Sequence, residues 1–235
     1  MTTEVATNLG IAQALPSAAR VLIVTARPIQ ESADLGGLLH AFRRSGTSLS
    51  LLCLTRGEAD ARNSGVLRLE AARPWEVLMA ASILGVGHTT VGSYRDGGLH
   101  RYPTSELARR IHQAIIDYSS DLVLVVAPET GDIGDTAVAR AATAAALRAR
   151  VPVVARTRPG VSGAWTLDLG NEMEVARAIQ KSAAAAHTSQ SETLPELIGR
   201  LDQLGSTEAL RWLLSPARVP AQRARPSVPG QYRHV

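Results

Sequence analysis

The sequence predicts an α/β fold, a Rossmann-like three-layer sandwich around a mostly parallel sheet. Strand-like and helix-like apolar periods alternate along most of the 235 residues. The strand segments are continuous apolar runs, the mark of a parallel sheet covered on both faces. The apolar content is Ala, Leu and Val with a single phenylalanine, Phe42, which suits alanine helices on aliphatic strands better than an aromatic-rich β-sandwich.

Arg20 to Thr25 opens the sheet as a buried strand, and Ser32 to Ser45 follows as a helix. Ser48 to Thr55 (SLSLLCLT) is the next strand. A helix over Val66 to Leu84 is interrupted or started near Pro74. His88 to Tyr94 is a short strand, Thr104 to Tyr118 a helix, and Leu122 to Ala127 the strongest strand. Asp135 to Arg150 is an alanine-rich helix with Asp135 as its cap. Val151 to Ala155 and Ala164 to Leu169 are strands, and helices run over Glu172 to His187, Leu194 to Leu204 and Thr207 to Leu214. Residues beyond Ser215 are expected to be disordered or loosely docked. The domain plan is a flexible N-terminal segment 1–19, one α/β domain over 20–215 and a Pro/Arg-rich tail over 216–235.

No apolar run reaches the length of a membrane span, and no charged-then-apolar leader is visible. Cys53 is the only cysteine, so no internal disulfide forms, and a reduced, cytoplasmic protein is the expectation. The net charge is +4 and the positive charge is almost wholly arginine, with Lys181 the only lysine, a bias that resembles actinobacterial composition. The arginines are scattered, and their densest cluster, Arg218 to Arg233, lies in the tail with no interleaved aromatic platform. Nucleic acid and membrane are therefore not expected partners; a small molecule is, and a homo-oligomer is compatible with the sequence.

In such a fold the ligand crevice lies at the carboxyl ends of the strands. The loops there are Ala26 to Glu31, Arg56 to Gly65, Tyr94 to Pro103 and Pro128 to Gly134. Gly36 and Gly37 fall too late to wrap a pyrophosphate, so nucleotide binding ranks low.

These loops carry a series of matches in order. Ala26-Arg-Pro-Ile-Gln-Glu31 precedes Gly36-Gly37, and Thr55-Arg56-Gly57-Glu58 ends the second strand. Arg73, Glu76, Ala80, Ala81, Leu84 and Gly85 follow, then Tyr94, Asp96, Gly97 and Leu99, then Asp132-Ile133-Gly134-Asp135, and finally His187-Thr188-Ser189-Gln190. Together, over roughly 21–190, they resemble the LmbE-like, or PIG-L, family of zinc-dependent N-deacetylases. That family acts on N-acetylglucosamine conjugates, mycothiol-type conjugates and natural-product glycosides, and the resemblance implies its fold.

The resemblance also implies where the chemistry departs. The family's three zinc ligands, two His and an Asp, fall on Arg27, Asp135 and Gln30. The residue that usually activates the zinc-bound water falls on Ile29, and the histidine often proposed to stabilise the oxyanion or protonate the leaving amine falls on Asp132. A catalytic zinc needs three donors from His, Cys, Asp or Glu, and arginine has no lone pair to give. The expectation is no metal and no cofactor.

Three functional classes follow. The first is a non-hydrolytic or accessory biosynthetic protein binding an amino-sugar or natural-product ligand through Arg27, Gln30, Arg73 and Asp96. The second is a metal-independent enzyme with Glu31, Asp132 and Asp135 as candidate acid/base groups and Arg27 as an anchor. The third, ranked last, is a deacetylase with an unconventional metal, for which Glu31, Asp132 and Asp135 are the available carboxylates. Each residue also has a structural alternative. Arg27 crosslinks Asp132 or Asp135 in place of a metal, Glu31 orders its loop, Glu58 braces, Glu76 pairs with an arginine, and Asp96 makes an Asp-Gly turn. His100 sits on a crevice loop, while His40, His88 and His112 fall away from the strand ends.

Overall fold

The computed structural model describes residues 15–58, 66–190 and 194–219; the expectations for 1–14, 59–65 and 220–235 lie outside the described residues. Strand β1 (Arg20–Thr25) is buried after its first residue because β2 (Ser48–Thr55) and β4 (Leu122–Val126) flank it and helices cover both faces. Ile23 stands opposite Leu51 on one side and Leu124 on the other, all in parallel. Beyond β2 lies β3 (His88–Tyr94), and beyond β4 lies β5 (Val153–Thr157), both parallel. Two antiparallel pairings complete the sheet, through β7 (Thr207–Leu214) and the edge strand β6 (Ala164–Asp168). The order is β3-β2-β1-β4-β5-β7-β6.

Alternate residues of β1 feed two cores. Leu22 and Val24 pack with α4 (Thr104–Asp117) and α5 (Ile133–Ala149). Val21 and Ile23 pack with α2 (Gly36–Arg44) and α3 (Val66–Leu84), with Ala183 of α6 (Met173–Ala185) in the same core. The expected three-layer α/β sandwich is therefore the observed one. The chain runs from β1 outward to β3 and then returns to place β4 on the other side of β1. That reversal opens a crevice at the carboxyl ends of β1 and β4. Among the described residues no helix is long and apolar enough to cross a membrane.

Several local expectations are corrected. Thr207 to Leu214, read as a helix, is β7. Glu208, Ala209, Leu210 and Arg211 are good helix formers, but the segment fills the place between β5 and β6. Leu210 and Trp212 join one core, Leu213 and Leu214 the other, and pairing on both sides overrides propensity.

The helix expected over Ser32 to Ser45 is broken into α1 (Gln30–Ala33) and α2. Gln180 of α6 donates its amide to the carbonyls of Ser32 and Ala33, which ends α1 there. A Cβ at Gly36 would lie 2.6 Å from the Gln180 side chain, and one at Gly37 2.6 Å from Arg177 Nη1, both on α6. The two glycines thus let α6 approach closely rather than serve a ligand.

Asp132, not Asp135, caps α5, its Oδ1 accepting from the backbone N–H of Gly134 and Asp135. Beyond β7, Pro216 to Arg218 form one turn of 3₁₀ helix, and Val219 packs on the core.

Candidate functional site

A cleft of about 320 Å³ opens at these strand ends. The turn after β1 forms its floor. Ile29 holds φ 76°, a left-handed conformation that is rare for a β-branched residue and stores backbone strain. Its carbonyl accepts from Ser32 and Ala33, starting α1. Gln30, 2% exposed, ties the turn together. Its Oε1 accepts from the N–H of Ala26 at 2.9 Å and Arg27 at 3.2 Å, and its Nε2 donates to Asp135 Oδ1 at 2.7 Å. Asp135 is itself 3% exposed.

Arg27 reaches across to Asp132, Nη1 to Oδ2 at 2.5 Å, with side-chain exposures of 44% and 29%. Burial works against the Asp132 charge, but the Arg27 guanidinium and the capping N–H groups outweigh it and hold the carboxyl below its ordinary value. Burial likewise works against the charge of Arg27, and its bond to Asp132 more than offsets that, so its pKa is raised. A lowered carboxyl contributes stability above the unfolded pKa and loses it as pH falls through the folded one. Asp132→Asn should keep the cap yet lower stability at neutral pH by less than about 1 kcal/mol, since water reaches the bridge. That difference should fade below about pH 4. Thermal melts of both proteins across pH check this.

The opposite wall is built from α3 and two loops. Arg73 is 2% exposed yet lines the cleft beside Asp96 and Gly57. Gly57 has φ +71°, and a Cβ there would lie 2.9 Å from Arg73 Nη1, so glycine makes room for the guanidinium. Asp96 Oδ1 accepts from Thr55 Oγ1 and from the Gly97 N–H, and Glu58 Oε1 accepts from the Asp96 N–H at 2.8 Å. Glu58 therefore braces the Asp96 turn. Glu76 holds the turn after α6, accepting from Thr188 Oγ1 and from the N–H and Oγ of Ser189.

Arg27, Arg73, Asp96 and Asp132 meet in one cleft, with Gln30 and Asp135 directly beneath Arg27. Glu31 is not on its walls. Its side chain and that of His187 are 0% exposed, with Nε2 to Oε1 at 2.6 Å. His187 was legible only as part of a terminal motif without a role. His40 bonds Glu172, His88 stacks on Tyr118, and His112 meets the Ala145 carbonyl, all away from the cleft. His100 lies on an exposed 3₁₀ turn.

Beyond the Arg27–Asp132 bridge the crevice continues between Asp34, Asp135, Arg156, Arg158 and Arg200. Burial pushes the Asp34 carboxyl above its ordinary value against the pull of Arg156, with Asp135 adding to the rise. No motif marks Asp34, and Arg156 falls past the strand end expected at Ala155, so both escaped sequence reasoning. Among the described residues no group of three His, Cys, Asp or Glu side chains could hold a metal ion.

The family model of the GlcNAc-PI de-N-acetylases (PIG-L) matches residues 22–147, more than half of the chain. The chain belongs to the PIG-L family. A relative from Bacillus anthracis, a probable N-acetyl-alpha-D-glucosaminyl L-malate deacetylase 2, is 28% identical over 210 residues, covering 82% of this chain and 91% of its own. The fold is also that of the N,N'-diacetylchitobiose deacetylase of Pyrococcus horikoshii, with a TM-score of 0.62 and 16% identity over 84% of this chain and 85% of that one. The 4-carboxy-2-hydroxymuconate hydratase GalB of Pseudomonas putida matches with a TM-score of 0.64 and 18% identity over 87% of this chain and 99% of its own. The fold thus recurs in a hydratase as well as in deacetylases.

Proposed function

We propose that this PIG-L protein binds a small amino-sugar or natural-product ligand in the cleft and does not run zinc hydrolysis, serving as a non-hydrolytic or accessory biosynthetic protein. The observation that carries this reading is the pair of crosslinks at the family's metal positions. A guanidinium, which has no lone pair, stands at position 27 and is bound to Asp132, while the Gln30 amide nitrogen donates to Asp135. These residues do not fit a zinc ion, which needs three donor atoms turned toward one point. Opposite them, Arg73 offers forked donors and Asp96 an acceptor, a pairing suited to hydroxyls, a carboxylate or an amine. The partner on this reading is a small molecule rather than a nucleic acid or a membrane.

A metal-independent enzyme is the second reading, and Asp34 is the observation that favours it. A carboxyl held above its ordinary value beside Asp135 is suited to proton transfer, whereas Glu31 is sealed against His187.

The names of the relatives set the test panel: N-acetyl-α-D-glucosaminyl L-malate, N,N'-diacetylchitobiose and 4-carboxy-2-hydroxymuconate, titrated calorimetrically. Arg73→Ala and Asp96→Asn should each weaken binding about tenfold or more while the chain stays folded. Acetate release that needs about one tightly held zinc per chain would overturn the proposal. Turnover that survives chelators and disappears in Asp34→Asn would favour the second reading.

A further inference from the structure

We infer that the turn after α6 aims Arg73 into the cleft, with Ser189 and Glu76 as positioning residues and His187 as the anchor of the turn. The inference rests on the reading of the cleft as a ligand site and adds what sets its selectivity.

Arg73 and Glu76 lie three positions apart on α3 and so share a face. Glu76, 8% exposed, accepts three hydrogen bonds from the turn, from Thr188 Oγ1 at 2.9 Å and from the N–H and Oγ of Ser189 at 2.7 Å each. A serine hydroxyl has one proton, and here it goes to Glu76 Oε2. The oxygen lone pairs then face Arg73, whose Nε lies 3.4 Å away and donates to them. Ser189 thus couples the carboxylate to the guanidinium, and the polarity of the chain fixes which way each group points.

On the other side of the turn, His187 bonds Glu31 of α1, both fully buried, so the turn cannot swing away from α3 without breaking that bond. Arg73 is a long side chain with considerable rotamer entropy. Its bond through Nε fixes the plane of the guanidinium where it lines the cleft, which favours a planar ligand group such as a carboxylate, or a pair of adjacent hydroxyls, set in that plane.

Ser189→Ala removes the coupling atom without removing volume from the core, and Ser189→Thr restores the hydroxyl. Phenylglyoxal modification of the full chain, followed site by site by mass spectrometry, reads the freedom of each arginine without any ligand. Arg177, 5% exposed and bonded to Glu208 and Gln180, is the internal control. In Ser189→Ala, Arg73 should react about fivefold faster, the opening expected on losing one net hydrogen bond, with Arg177 unchanged and Ser189→Thr near wild type. Affinity for N-acetyl-α-D-glucosaminyl L-malate should fall by a similar factor in the alanine variant. An unchanged rate at Arg73, or a rise matched at Arg177, overturns the inference. Absence of binding by the whole panel in wild type would instead count against the ligand-site reading, and the modification rates still decide the positioning role.

Discussion

Replacing His187 by alanine is expected to destabilise the protein by about 3–5 kcal/mol, the range for breaking a buried ionisable pair by deleting one partner. Its imidazole and the Glu31 carboxyl have no solvent-exposed surface, and their bond is 2.6 Å long. Without the ring, the Ser32 hydroxyl at 3.2 Å is what Glu31 Oε1 keeps among the described residues, and a cavity opens beside it. A domain with a stability of only about 5–15 kcal/mol could lose its fold to such a change. Glu31→Gln, which keeps a hydrogen-bonding group of the same shape, should lose clearly less and remain measurable. Urea unfolding of the three proteins tests this, and a loss below about 1 kcal/mol for His187→Ala would mean that water relaxes the site.

Rebuilding the family's donor set at positions 27, 30 and 135 should create a zinc site at the carboxyl ends of β1 and β4. Position 30 bonds both the backbone of residue 27 and the side chain of residue 135, so the three positions converge. The triple variant Arg27→His, Gln30→Asp, Asp135→His is expected to be less stable than wild type when metal-free, since the Gln30–Asp135 and Arg27–Asp132 bonds are gone. Zinc at a thousandfold excess over its Kd should then stabilise it by about 4 kcal/mol, and a chelator should reverse the gain. The wild-type melting temperature should respond to neither zinc nor chelator. A stoichiometric, tightly held zinc in the wild type would contradict the proposed function. A triple variant indifferent to zinc would mean that the three positions do not meet as the hydrogen bonds imply.

The sequence by itself determined the layers. Short continuous apolar runs rich in Val and Leu, such as Leu122 to Val126, read as strands buried on both faces, and the helices that follow β1, β2, β3 and β4 carry parallel crossovers, so the crevice and its loops follow from local pattern. It also determined what two of the crevice side chains can give, because arginine at 27 and isoleucine at 29 have no lone pair for a metal wherever they point. The tertiary structure decided what depends on distant partners. Thr207 to Leu214 has helix-forming residues and becomes a strand only because β5 and β6 flank it. Glu31 reads as a loop carboxylate beside the crevice, yet a residue 156 positions away seals it in the core. Arg73 has the plane of its guanidinium fixed by a serine 116 positions away. Propensity and periodicity are set by neighbours along the chain, whereas burial and hydrogen-bond polarity are set by whatever the fold brings alongside.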